Sequence, residues 1–127
     1  MFFFGKKKKE KKQEQAAPVA NKEELIAKAS EKVTELESKT GDERVSLLNE
    51  IGSLYTQAEE TDLAIKYYEE SLELCKQHGK ASTDLMKLYN KKRQEAAEAK
   101  DDEKVKEYMD KVQNLMQMSK DMIRGNA

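Results

Sequence analysis

Two side chains carry the usual means for covalent or metal chemistry, Cys75 and His78, the single cysteine and the single histidine of the sequence. A lone thiol has no intramolecular disulfide partner. One imidazole with no second histidine and no cysteine pair makes no zinc set. Cys75 falls on an apolar helical face and reads as a buried structural thiol, the alternative being an oxidisable one. His78 precedes Gly79 at an expected helix end, where an imidazole can cover free carbonyls. No nucleophile–base constellation and no phosphate-cradling glycine loop is present. Carboxylates are abundant, but they sit four residues before lysines, as in Glu24 with Lys28 and Glu35 with Lys39, which is the ordinary chemistry of solvated helix faces. The sequence therefore predicts no catalysis, no cofactor and no metal.

What remains is the chemistry of binding. The opening "MFFFGKKKKEKK" joins Phe2, Phe3 and Phe4 to Lys6, Lys7, Lys8, Lys9, Lys11 and Lys12. Six lysines against Glu10 give +5; with −1 for the whole chain, residues 13–127 carry −6. Phenylalanines partition into a membrane interface, and each lysine near an anionic leaflet adds about 1 kcal/mol. Together they form a two-signal anchor for reversible attachment to an anionic membrane surface. A nucleic-acid arm, with lysines on phosphates and rings on bases, is the alternative. Nucleic acid is disfavoured because the rings are clustered at the tip, arginine is absent from the arm and the body is acidic. A disordered solubilising tail is the third reading. Three phenylalanines are too few to span a bilayer, and their charges follow the apolar residues instead of leading them as in a secretory signal. The expected place is the cytoplasm, peripheral to the inner face of the membrane if the arm binds lipid.

The elements that position these groups are helical. Charged residues make up 39% of the chain and hydrophobic ones 37%, with one proline, which suits helices with charged outer faces. Residues 1–20 read as a disordered arm and linker, and residues 21–126 as one helical domain. Helix one is expected from Asn21, in a capping box with Glu24, to Lys39, with Leu25, Ile26, Ala29, Val33 and Leu36 on one stripe. Gly41 is expected to stop it, and Asp42 to cap helix two over Glu43–Ala58. Helix three is expected over Asp62–Gln77, ended by Gly79, helix four over Thr83–Lys100 and helix five over Asp102–Arg124, stopped by Gly125. Met109, Met116 and Met122 lie on the helix-five stripe and read as core, with an adaptable binding surface as the alternative. No stretch alternates with period two, so no sheet is expected.

Residues 45–78 hold a pattern of their own. Leu48-x2-Ile51-Gly52-x2-Tyr55, eight further residues, then Ala64-x3-Tyr68-x2-Ser71 resembles one tetratricopeptide repeat. Leu85, Met86 and Tyr89 begin a second, degenerate unit whose hairpin is about six residues longer, an excess expected to be shared between its helices. Met86 stands where the first unit has glycine, Lys104 where it has Ala64, and Lys76 where the family often has proline. Gly52 and Ala64 are expected to face one another across the hairpin, with Tyr55, Tyr68 and Leu48 filling the space beside them. The fold implied is all-α, a short superhelical stack of about five antiparallel helices, with a plain bundle as the alternative.

The resemblance also implies a function. Such stacks bind a peptide or helix of a partner protein on the concave face lined by the first helix of each pair. Here that face offers Ser46, Asn49, Ser53, Thr56 and Gln57, then Lys80, Thr83, Lys87, Asn90 and Lys91. It is neutral-polar turning basic, which suits an acidic peptide through charge-assisted hydrogen bonds. The carboxylate clamp of one subclass, a lysine and an asparagine four residues later, is replaced by Asn49 and Ser53. The expected protein is an interaction module or adaptor. The alternatives are a self-assembling helical protein that forms homodimers, a nucleic-acid- or ribosome-associated protein, and faces that are merely solvated.

Overall fold

Apolar residues recur three and four apart from Ile26 onward, and every such run is a helix. A computed structural model describes residues 19–75 and 79–123. It contains α1 (Val19–Glu35), α2 (Gly41–Gln57), α3 (Thr61–Leu74), α4 (Lys80–Glu98) and α5 (Asp102–Ile123), with a 3-10 turn at Leu36–Ser38 after α1. Among the described residues there is no strand, and the chain is all-α. The aromatic and lysine-rich arm, Lys76, His78 and Gly125 lie outside the described residues, as do the side chains of Met122 and Ile123.

Each helix packs on the next, α1 on α2, α2 on α3, α3 on α4 and α4 on α5. A single core cluster threads them. It starts at Ala29 in α1, passes through Leu48 and Ile51 in α2, Tyr68 and Leu72 in α3, and Leu85 and Tyr89 in α4, and ends at Leu115 in α5. Burying one such aliphatic side chain contributes about 1.5–3 kcal/mol. Aromatic rings supply much of the remaining volume: Tyr55 stacks on Tyr67 at 5.8 Å between centroids, and Tyr89 meets Tyr108 at 6.3 Å.

Gly52 is a packing choice, and the atoms nearest to it belong to the Tyr68 ring. A β-carbon at residue 52 would lie 2.9 Å from Cζ of Tyr68 and 3.0 Å from Cδ1 and Cδ2. The ring therefore lies flat on the α2 backbone, and no side chain fits between them. Ala64 is fully buried in the same cluster.

The two hairpins turn on one backbone device. Glu59 and Lys100 hold positive φ, 63° and 60°. After α2, the Glu59 N–H donates to the Thr56 carbonyl and the Glu60 N–H to the Tyr55 carbonyl. After α4, the Lys100 N–H donates to Ala97 and the Asp101 N–H to Ala96. Both are Schellman motifs, which satisfy the last carbonyls of the helix and reverse the chain. The carbonyls of Glu60 and Asp101 then accept the first bonds of α3 and α5. Asp101 also accepts the Lys104 N–H on its side chain at 3.2 Å.

Five boundaries depart from the sequence expectations. Helix one is already formed at Val19, so Asn21 has helical neighbours and cannot act as an N-cap. Its end tightens into the 3-10 turn, where Arg44 Nη1 donates to the Leu36 carbonyl at 2.5 Å. Gly41 is the first residue of α2, at φ +60°, with Thr40 as its N-cap; Asp42 sits in the first turn, where its charge suits the helix N-terminus. Helix three ends at Leu74, and Gly79 is the extended N-cap of α4 instead of a stop. Cys75 thus falls at the C-cap, half-buried, which overturns the buried structural thiol. The extra length of the second hairpin is also unevenly placed: α4 has 19 residues against 17 in α2, but α5 has 22 against 14 in α3.

Candidate protein-docking surface

The residues expected on the binding face divide by helix. On α2 the side chains of Asn49, Ser53, Thr56 and Gln57 have internal partners, and Ser46 is exposed. The Ser71 hydroxyl, almost fully buried, donates to Oδ1 of Asn49 at 2.6 Å. Asn49 satisfies a donor that would otherwise be orphaned in the core. Thr56 returns its hydroxyl to the Gly52 carbonyl at 2.8 Å, and Gln57 donates to Oγ of Ser53 at 3.3 Å.

A polar node lies beside them. Tyr68 Oη donates to Oδ2 of Asp84 at 2.9 Å, tying α3 to α4, and Lys80 Nζ reaches the same oxygen at 2.9 Å. Burial, then the Asp84 carboxylate, push the Tyr68 phenol well above its usual range, against a smaller opposite pull from the Thr56 and Ser53 hydroxyls. A second node joins three helices: Tyr89 of α4 donates to Glu69 of α3, and Lys111 of α5 approaches the same carboxylate oxygen at 3.5 Å. Burial first, then Glu69, raise the Tyr89 phenol as well. These carboxylates serve as acceptors between helices.

On α4 the situation is different. Asn90 donates back to the Met86 carbonyl at 3.1 Å, and Lys80 is paired, but Thr83, Lys87 and Lys91 are exposed. Thr83 and Lys87, one turn apart, form one bank of a groove of about 420 Å³ between α4 and α5. Ser82, Met86, Met116, Ser119 and Lys120 complete its lining. Met86 and Met116 give an apolar floor, and Lys87 and Lys120 stand on opposite banks. No carboxylate lines the groove. Neither lysine has an ion-pair partner among the described residues.

The core reading of Met109 and Met116 is therefore corrected, and the Met122 side chain lies outside the described residues. Met109 and Met116 are 44% and 47% exposed. The face of α5 that meets the rest of the fold carries Leu115, Val112, Tyr108 and Met118, and Met116 lies outside it. Ser119 and Lys120 were not singled out by sequence reasoning for binding. The signal for them lies in spacing: Ser119 and Lys120 fall three and four residues after Met116, one turn along the same flank of α5.

Among the described residues no group of three or more His, Cys, Asp or Glu side chains could hold a metal ion, and no helix is long and apolar enough to cross a membrane. No family model, curated protein or solved structure matches the chain.

Proposed function

We propose that this chain is a non-catalytic protein-interaction module, an adaptor of tetratricopeptide type, that takes an acidic segment of a partner protein against α4 and its flanking groove. The observation that carries this reading is the groove between α4 and α5, apolar at its floor, cationic on both banks and free of carboxylates. An acidic segment gains charge-assisted contacts at Lys87, Lys91 and Lys120, and its apolar side chains cover Met86 and Met116. The resemblance of residues 45–78 to a tetratricopeptide repeat supports the same use. The Phe/Lys arm supplies a second function in this reading, reversible recruitment to an anionic membrane surface on the cytoplasmic side.

The docking half is tested by reversing Lys87 and Lys91 to Glu in the full chain and comparing captured partners with wild type. Loss of partners by K87E/K91E, with retention by K28E on the opposite end of the stack, is the expected outcome. Identical partner sets for all three proteins would contradict it. The arm is tested by sedimentation with vesicles of phosphatidylserine or of phosphatidylcholine alone. Binding restricted to the anionic vesicles and lost in the Phe2, Phe3 and Phe4 to Ser variant is expected; binding to neutral vesicles, or to RNA alone, would defeat it.

A further inference from the structure

We propose that the α4–α5 groove is a socket for an amphipathic helix of a partner protein, with apolar anchors on one face and acidic residues flanking them. This rests on the interaction-module reading and goes beyond it by fixing the conformation and the charge of the occupant.

The shape comes first. The groove runs between two antiparallel helices, its banks set by Thr83 and Lys87 on α4 and by Ser119 and Lys120 on α5. A furrow between two helix ridges is the surface into which the ridge of a third helix packs. The other side of the same hairpin is already packed, with Leu85, Tyr89 and Leu115 in the core cluster and Val112 against it. Among the described residues the α4–α5 hairpin is thus covered on one face and open on the other. Methionine suits an open socket, because an unbranched thioether can repack around whatever anchor enters.

Charge then selects among occupants. The chain's own arm has aromatic side chains that would fit the floor, but it carries +5 and would meet two unpaired lysines. A second copy docking groove to groove about a two-fold axis would bring Lys87 and Lys120 of both copies together, like against like. An acidic amphipathic helix has neither defect. Anchors at i, i+3 or i+4 and i+7 would reach the floor while glutamates on either flank reach Lys87 and Lys120.

The test uses the full chain and fluorescence anisotropy with a labelled synthetic peptide of about 18 residues, five helical turns. One peptide carries leucines at helical spacing with glutamate flanks, a second has lysine in place of each glutamate, and a third has serine in place of each leucine. The acidic amphipathic peptide should bind at least about tenfold more tightly than either other. Met116→Glu, a change at an exposed position, should weaken it about tenfold, and K87E/K120E should reverse the order of the acidic and basic peptides. Circular dichroism of each variant confirms that the helices persist. The socket assignment is overturned if the acidic peptide does not bind, if it binds no better than the basic one, or if M116E leaves it unchanged. Tighter peptide binding by the Phe2, Phe3 and Phe4 to Ser variant would name the arm as occupant. A dimer in sedimentation that M116E abolishes would name a second copy. Should partner capture still depend on Lys87 and Lys91 while the peptide order fails, only the helix assignment falls and the module reading stands.

Discussion

Residue 52 shows how one missing carbon can set a helix pair. Alanine there would gain about 1 kcal/mol in helix propensity. Its β-carbon would also meet the Tyr68 ring at 2.9 Å, and that ring is fully buried and held at its hydroxyl by Asp84. Overpacking of this kind costs about 1–3 kcal/mol. Gly52→Ala is therefore expected to destabilise the fold by about 1 kcal/mol net in urea unfolding, against its propensity. The tyrosines also fix a pH response. Folding disfavours the phenolate of Tyr68 and Tyr89, so the unfolded chain releases these protons first, near the ordinary value of 10.0. Their contribution to stability is whole below that pH and drains as pH climbs from there through the raised folded values. The urea midpoint should fall with pH above about 10, and the fall should be shallower in Tyr89→Phe than in wild type. An equal slope in both would show that Tyr89 does not titrate differently in the folded chain.

At the scale of elements, the two Schellman turns make a prediction whose sign depends on place. Lys100 holds left-handed backbone that costs a side-chain-bearing residue about 1 kcal/mol. Lys100→Gly should therefore stabilise by about 0.5 kcal/mol after the entropy gained by the unfolded chain is deducted. Lys91→Gly, in the exposed middle of α4, should destabilise by about 0.5–1 kcal/mol. Thermal unfolding of the two variants side by side checks the contrast. Neither turn carried a glycine to announce it, yet both hairpins were legible, because "EET" at 59–61 and "KDDE" at 100–103 interrupt the apolar stripes of their neighbours. The ends of α1 and α3 were less so. Leu36 continues the α1 stripe although its backbone has tightened to a 3-10 turn, and Cys75 continues the α3 stripe although the helix has closed at Leu74. Periodicity reports which side chains face the core, not where the hydrogen-bond ladder stops.

The whole molecule is a stack whose two ends differ. The sequence made the all-α class and the helix order plain, and it placed Thr83 and Lys87 among the binding candidates. It did not show that Asn49 is occupied by Ser71, since that bond joins residues 22 apart, nor that Met116 faces outward, since one helix gives no account of what lies beside it. Charge is divided as well, +5 in the first 12 residues and −6 in the rest. Attachment to anionic vesicles should accordingly weaken as salt is raised from low to about 0.15 M, where the screening length is about 8 Å. The central claim is that the open face of the α4–α5 hairpin is where a partner docks. Its most direct test is an amide NMR titration of the full chain with the acidic amphipathic peptide. Shifts confined to residues around Thr83, Lys87, Met116 and Lys120 are expected, with Ala29 and Leu48 unmoved. Shifts centred on α1 and α2, or none at all, would contradict it.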